Sequence, residues 1–181
     1  SWVKVAGRCT GIEARGGLNQ TVYLSKSLTL RGAYTVTDWT SPSYGPTVLD
    51  SRGLGRAVYV SGTGGMEPIT PVIENLHVTG GQSDYGAGIH VAQHVSATLQ
   101  NNVIYGNEAT QDGGGVYNED SDVLMRHNTI YSNTASRGAA IGSTGFITLE
   151  NSIIANNRAT LPGGGAIYAD DGSFTLSYNN F

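Results

Sequence analysis

The chain has 181 residues, of which only 13% are charged, and its net charge is −4. This balance argues against nucleic-acid binding, because there is no basic cluster to neutralise phosphates. No apolar run approaches the roughly 20 residues of a membrane-spanning helix, so no membrane span is expected. The 26 glycines argue against a helical protein, since glycine is a weak helix former.

The first third of the chain predicts short strands of uneven spacing. Apolar and polar residues alternate in segments that Gly, Pro and Ser turns separate, which is typical of strands. The segments are "TVYLSKSLTLRGAY" (21–34), "TVLDS" (47–51), "RAVYVSG" (56–62) and "PVIENLHVTGG" (71–81). The stretch "TDWTSPSYGP" (37–46) predicts a protruding loop. We therefore expect residues 1–71 to form irregular coils with longer loops.

From residue 72 onward the sequence repeats with a period of about 25 residues. The pair "NNVIYGNEATQDGGGVYNED" (101–120) and "NSIIANNRATLPGGGAIYAD" (151–170) shows the pattern. Four sets of equivalent positions recur with this period. The first set is apolar: Val78, Ile104, Ile130, Ile153 and the terminal Phe181. The second is Leu76 followed by Asn102, Asn128, Asn151 and Asn179. The third is Gly81 followed by Asn107, Asn133 and Asn156. The fourth is Ile89, Val116, Ile141 and Ile167.

A period of this length, without a leucine-rich frame or helix formers, predicts an all-β fold: a single parallel β-helix. Each repeat is one coil of about three short strands, and like residues stack on the next coil about 4.8 Å away. The apolar sets then fill the core, and buried Asn amides bond backbone groups at the bends. The triplets Gly113–Gly115 and Gly163–Gly165 supply positive φ at corners. We expect one domain, residues 1–181, of about seven coils, with 72–181 the regular part.

The sequence resembles right-handed parallel β-helix proteins of the pectin-lyase-like superfold. Within them it resembles secreted bacterial repeats of the polymorphic outer-membrane protein type, which carry G-G-A-[ILV] and F-x-x-N signatures. The matching stretch is "GGGAIY" (163–168), with near matches "GGGVY" (113–117) and "GAAIG" (138–142). Ile replaces Phe in "IYGN", "IYSN" and "IIAN". The resemblance implies surface exposure and an adhesive or structural role, usually without catalysis.

An enzymatic role in polysaccharide cleavage is the alternative. A hydrolase needs two carboxylates across the glycosidic bond, and the candidates are Asp170 and Asp171, with Glu119, Asp120 and Asp122 about two coils earlier. Solvated acidic residues in turns are the competing interpretation. A lyase needs a carboxylate calcium cage and a basic residue. Three arginines are present, but we expect no acidic column in their register: Arg126, Arg137 and Arg158.

No metal site or cofactor is predicted, apart from weak Ca²⁺ binding in oxygen-rich turns. The four histidines have no zinc spacing. The glycine stretch "GTGG" (62–65) matches no phosphate-binding fingerprint, because no helix follows it.

Outward-facing tyrosines form two predicted columns that could bind a sugar or a protein partner. His90, Tyr117 and Tyr168 share one column, which Gly142 interrupts. Tyr105 and Tyr131 share the other, with Ile154 next. Stacked rings can bind sugars, and packing that shields the sheet is the alternative interpretation.

Solenoid ends present unpaired strand edges that can pair with another chain. No helical or strongly charged cap is evident at either end, so we expect end-to-end self-association into filaments. With only two lysines, Lys4 and Lys26, and much Asn, Thr and Gly, the composition favours an extracellular or cell-surface protein. The leading prediction is a non-enzymatic, secreted, structural or adhesin-like β-solenoid. A carbohydrate-binding or polysaccharide-degrading β-helix module is the alternative.

Overall fold

A computed structural model describes residues 1–41, 45–62 and 67–181, and the regular structure in these ranges is entirely β. The first two coils contain β1 (Trp2–Ala6), β2 (Arg8–Thr10), β3 (Glu13–Arg15), β4 (Leu18–Leu24), β5 (Thr29–Tyr34), β6 (Val48–Asp50) and β7 (Arg56–Val60). The next two contain β8 (Val72–Glu74), β9 (His77–Thr79), β10 (Gln82–Ser83), β11 (Ile89–Val91), β12 (Ser96–Gln100), β13 (Val103–Tyr105), β14 (Glu108–Ala109) and β15 (Val116–Asn118). The remainder are β16 (Asp122–Arg126), β17 (Thr129–Tyr131), β18 (Thr134–Ala135), β19 (Ile141–Ser143), β20 (Phe146–Glu150), β21 (Ile153–Ala155), β22 (Arg158–Ala159), β23 (Ile167–Ala169) and β24 (Ser173–Ser177).

The strands form three long sheets that run the length of the molecule. Sheet 1 has the order β1-β5-β8-β12-β16-β20-β24, sheet 2 the order β2-β6-β9-β13-β17-β21, and sheet 3 the order β3-β4-β7-β11-β15-β19-β23. Each complete coil contributes one strand to each sheet, except that the first contributes both β3 and β4 to sheet 3. Every pairing is parallel except that of β3 with β4. The described residues thus make six coils and the first strand of a seventh, which confirms the predicted parallel β-helix.

A fourth, small sheet lies at the corner between sheets 2 and 3. It consists of the two-residue strands β10, β14, β18 and β22. Strands this short show no alternation in the sequence, so the three-strand prediction missed them. At this corner, glycine is needed chiefly because the backbones of neighbouring coils lie too close together for a side chain. A Cβ on Gly114 would lie 2.4 Å from the carbonyl oxygen of Thr134 in the next coil. Only the first residue of that triplet, Gly113, has a positive φ.

The core is a set of apolar columns, as the repeat predicted. In sheet 1 one column runs through seven strands, and its five inner members are almost wholly buried. It comprises Val3, Leu30, Ile73, Leu99, Met125, Leu149 and Leu176. The predicted set Ile89, Val116, Ile141 and Ile167 is a true column in sheet 3, and Val58 extends it. Each fully buried side chain of this kind contributes about 1.5–3 kcal/mol to stability.

Three predicted columns are wrong by one residue in their last regular coil, and the first is apolar. Val78, Ile104 and Ile130 stack as predicted, but the next member is Ile154, whereas Ile153 pairs with Thr129 and is 46% exposed.

The asparagine column has the same slip. Asn102 and Asn128 are followed by Ser152 and then Asn179, while Asn151 is exposed with a φ of +47°. Likewise Asn157, not Asn156, continues the column of Asn107 and Asn133.

The slip has a structural cause. Turns shorten in the fifth coil, so that Glu108 pairs with Thr134 but Asp122 pairs with Phe146, two residues closer in sequence. The strands keep their register, but a prediction that uses a constant repeat length does not account for the shorter turns of this coil.

The first coil carries a feature that the sequence did not suggest. Strands β3 and β4 form an antiparallel hairpin, which puts the charged Glu13 and Arg15 on the edge of sheet 3. The edges of sheets 1 and 2 at this end are the parallel strands β1 and β2. At this end of the solenoid, one of the three sheet edges therefore carries charged side chains, which disfavour pairing with another chain. We had expected no such protection at either end.

The predicted loop 37–46 lies partly outside the described residues. Its described beginning folds back on the coil, with the Trp39 ring stacked on Tyr34 at a centroid distance of 6.4 Å and its carbonyl oxygen accepting a hydrogen bond from Lys4. Most of the stretch 62–65 also falls outside the described ranges. Within them, no helix is long and apolar enough to cross a membrane.

Candidate functional site

The outer face of sheet 3 carries an aromatic column that Gly142 interrupts. Its register is Tyr23, Tyr59, His90, Tyr117, Gly142 and Tyr168. The predicted part, from His90 to Tyr168 with Gly142 between, is confirmed as a column. Ring centroids lie 5.1 Å apart for Tyr59 and His90 and 5.3 Å apart for His90 and Tyr117. The rings mostly contact one another, and Tyr117 is only 9% exposed.

The second tyrosine pair lies on the outer face of sheet 2. The rings of Tyr105 and Tyr131 stack with a centroid distance of 5.2 Å and an interplanar angle of 7°. The next residue in this column is Ala155, not Ile154 as predicted. Because these two rings use their facing sides on each other, a ligand would meet mainly their edges and hydroxyls.

An open trough runs along the turns that connect sheet 3 to sheet 1. It consists of three contiguous grooves of about 270, 340 and 370 Å³, which share lining residues. The lining extends from Tyr59 in the second coil to Asp171 in the sixth. Four steps of about 4.8 Å between coils give the trough a length of about 19 Å. We call this surface the corner trough.

The corner trough brings together the predicted catalytic candidates. Glu119, Asp120, Asp170 and Asp171 line its middle groove with Gln93, Tyr117 and Thr144. Asp122 lines the adjoining groove with Asp120 and Asp171. Asp120 and Asp171 occupy turns two coils apart, about 10 Å along the axis. In the described residues, no three His, Cys, Asp or Glu side chains converge to hold a metal ion.

Glu119 is held by a histidine. His90 is 7% exposed, and its Nε2 lies 3.1 Å from the Glu119 Oε2. This hydrogen bond lowers the pKa of the Glu119 carboxyl. A glycosidic general acid needs a raised carboxyl pKa, so Glu119 is suited to accept hydrogen bonds and not to donate a proton.

Arg137 ties the aromatic column to the trough. Its Nε and Nη2 donate to the two carboxylate oxygens of Asp112 at 2.9 and 2.7 Å, and its Nη1 donates to the Tyr168 hydroxyl at 2.7 Å. Its Nη2 also lies 3.7 Å from Asp170. The bond to Asp112 raises the pKa of Arg137.

We expected no acidic column in the register of the arginines, and the structure places a single acidic residue in register with each of two of them. Asp112 bridges to Arg137 in register, and Arg126 pairs with Glu150.

Sequence reasoning missed the pair His90–Glu119, because these residues are 29 residues apart and so do not follow the repeat period. The pair Asp112–Arg137 was missed although its separation of 25 residues follows that period. Sequence reasoning also missed Arg56, for which a signal existed. In strand β7, Arg56 alternates with Val58 and Val60, both of which are buried in the core. A basic residue at a position that alternates with core residues along a strand predicts a buried cation.

The architecture is that of a parallel β-solenoid, in which recurring side chains stack from coil to coil. A family model described as "Right handed beta helix region" matches residues 47–181. The chain therefore belongs to the right-handed β-helix family, and the predicted pectin-lyase-like fold agrees with it. Neither a curated protein nor a solved structure matched the chain.

Proposed function

We propose that the protein is a non-catalytic, extracellular β-solenoid of the adhesin-like kind, which binds a surface glycan along the corner trough. The supporting observation is the trough itself, which is open and spans five coils. An open trough about 19 Å long suits several units of an extended polymer better than one small molecule. Carboxylates and amides along it accept and donate hydrogen bonds to sugar hydroxyls.

The charge of the trough favours neutral or amino-bearing glycans. Five carboxylates line or adjoin it: Glu119, Asp120, Asp122, Asp170 and Asp171. Such a surface repels polyuronates. The lowered pKa of Glu119 makes this carboxylate unsuited to the role of general acid.

A glycan array with the purified chain tests this proposal. We expect retention of neutral or amino glycans above uronates, and about tenfold weaker binding for the double variant Asp120→Asn, Asp171→Asn. Both positions have positive φ, which Asn tolerates.

The matched control is the double variant Tyr105→Ser, Tyr131→Ser on sheet 2, which should bind normally. Loss of binding in this control alone would assign the ligand to the tyrosine pair. Release of products from a bound polysaccharide, abolished by Asp171→Asn, would contradict the non-catalytic role and favour the polysaccharide-degrading alternative.

We propose as a second role that copies associate end to end through sheet 1. The core column of that sheet is exposed at both ends: Val3 is 45% and Leu176 is 48% exposed, although their register partners are buried. The final strand β24 pairing with β1 of another copy would continue the column. Pairing would involve sheets 1 and 2, because sheet 3 begins with the charged hairpin strand β3.

Light scattering after size-exclusion chromatography tests this association. We expect concentration-dependent oligomers for the wild-type chain and monomers for Leu176→Glu, which places a charge in the continued core. Thr175→Glu, one residue earlier and facing outward, should still associate. Monomers at every concentration would contradict the role.

A further inference from the structure

A buried cation without a carboxylate partner lies near the start of sheet 3. Arg56 is only 7% exposed. Three other arginines are paired with carboxylates and are more exposed: Arg8 with Asp50, Arg31 with Glu74, and Arg137 with Asp112. In the described part of the chain, no carboxylate oxygen lies within 4.0 Å of the Arg56 guanidinium. Burial of an unpaired charge is costly, so this arrangement calls for a function.

Neutral groups hold the Arg56 guanidinium in place. Its Nη2 donates to the Ser83 Oγ at 2.7 Å and to the Tyr85 carbonyl oxygen at 3.1 Å, and its Cζ lies 5.2 Å from the Tyr59 ring centroid. The Nε is buried without a partner, as is Oε1 of Gln20, its register neighbour. Both atoms are inaccessible to solvent. The Nη1 has no acceptor among the described residues and is the donor available to a ligand.

Burial lowers the pKa of Arg56, and the carboxylates of Asp84 and Glu119 offset this only in part. The guanidinium is thus fixed in geometry while its charge is incompletely balanced. Such a guanidinium is suited to bind an oxyanion, whose oxygens accept hydrogen bonds from its N–H groups and whose negative charge balances its own charge.

Arg56 lines a groove of about 390 Å³ that is separate from the corner trough. Its walls are the hairpin turn 17–19, the turn residues Leu54 and Gly55, and the segment 82–85. Gly55 allows the hairpin to pack this closely, since a Cβ there would lie 2.4 Å from the Asn19 carbonyl oxygen. The volume is at the lower end of the range of about 300–1,000 Å³ for small-molecule sites.

We propose that this groove binds a small, singly charged oxyanion group, a carboxylate or a sulfate ester, on Arg56. The neutral side chains of Asn19 and Gln82, which also line the groove, supply further donors. The one carboxylate in the lining is Asp84, whose Oδ1 accepts a hydrogen bond from Thr110 at 2.6 Å. Its negative charge disfavours polyanions, so the site selects ligands by charge as well as size.

Thermal unfolding and ¹H–¹⁵N spectra of the arginine Nε–H groups test the site, with acetate, methyl sulfate and citrate as probes at matched ionic strength. Acetate and methyl sulfate should each raise Tm saturably, because binding to the folded state stabilises it, and should shift the Arg56 signal. The probe with the lower Kd identifies which of the two groups, carboxylate or sulfate ester, the groove prefers. Citrate should bind at least about tenfold more weakly because of Asp84.

Two variants separate the ligand effect from a folding defect. Arg56→Met should weaken binding at least about tenfold, the loss expected for a charged hydrogen bond, whereas Arg158→Met, an exposed arginine in β22, should bind normally. Gln82→Glu, an isosteric change at an exposed position, should weaken binding similarly, while Gln93→Glu in the corner trough should not.

An unchanged Tm and spectrum with both acetate and methyl sulfate would overturn the proposal. So would normal binding by Gln82→Glu. Glycan binding along the corner trough uses other residues, so failure of one site leaves the other intact.

Discussion

At the scale of single residues, buried asparagines hold successive coils together. Asn128 accepts hydrogen bonds from the backbone N–H and the side-chain Nδ2 of Asn102, and it donates to the Leu99 carbonyl oxygen at 2.8 Å. Asn133 repeats these contacts with Asn107 and Ile104. Each amide thus satisfies buried backbone groups at a bend that no strand ladder reaches.

Asn128→Ala should lower the free energy of unfolding by about 2–5 kcal/mol, because it leaves a buried N–H and a buried carbonyl unpaired. Urea denaturation followed by circular dichroism measures this. Asn180→Ala is the control: Asn180 is exposed and should cost less than about 0.5 kcal/mol. Equal losses in the two variants would show that the ladder does not stabilise the fold.

The His90–Glu119 contact makes stability depend on pH. Because the folded-state pKa of Glu119 lies below the usual value of about 4.3, its ionised form stabilises the folded protein above that pH. This contribution is lost as pH falls through the lowered pKa. Wild type should therefore lose more stability between about pH 5 and pH 3 than Glu119→Gln does.

Urea titrations at several pH values compare these chains. Glu108→Gln serves as control, since Glu108 is exposed in strand β14 of the small fourth sheet and makes no side-chain hydrogen bond among the described residues. If Glu119→Gln kept the full acid dependence of wild type, the contact with His90 would not contribute.

At the scale of strands, the length of the turns decides which residue enters a column. The fifth coil loses residues in its turns, while strands β16 and β20 remain paired through five positions. Two isoleucines follow each other at 153 and 154, so both fit an apolar pattern, and only the register distinguishes them.

Ile154→Ala should therefore cost about 2–4 kcal/mol, since it opens a cavity in the core. Ile153→Ala, at a 46% exposed position, should cost less than about 1 kcal/mol. Chemical denaturation of the two variants side by side checks the order. A larger loss of stability for Ile153→Ala than for Ile154→Ala would show that Ile153 is the core residue, as the repeat period predicted.

Much of this fold could be read from the sequence, because stacking turns spatial neighbours into a repeat. The columns through Ile104 and Val116 follow directly from the period. The small fourth sheet and the β3–β4 hairpin could not be predicted, since neither repeats in a recognisable form. The candidate site was predicted in part: the acidic residues near Asp171 were identified, but their partners His90 and Arg137 depend on turn lengths.

At the scale of the molecule, the residues that stabilise the solenoid differ from those that line its grooves. The columns inside fix the coil spacing, and the turns outside vary to build the corner trough and the Arg56 groove. Sheet 1 runs from β1 to β24, and its apolar column reaches both ends. The same regularity that stabilises the molecule thus exposes surfaces on which further contacts can be made.

Cysteine cross-linking between coils tests the stacking most directly. In a Cys9→Ser background, the double variants Val103→Cys, Thr129→Cys and Thr129→Cys, Ile153→Cys join register partners on the outer face of sheet 2. Parallel neighbours lie about 4.8 Å apart, within the Cα separation of disulfides. Both pairs should oxidise to intramolecular disulfides, and Thr129→Cys, Ser152→Cys should not. A disulfide between positions 129 and 152 instead, or none in the two register pairs, would contradict the stacking described here.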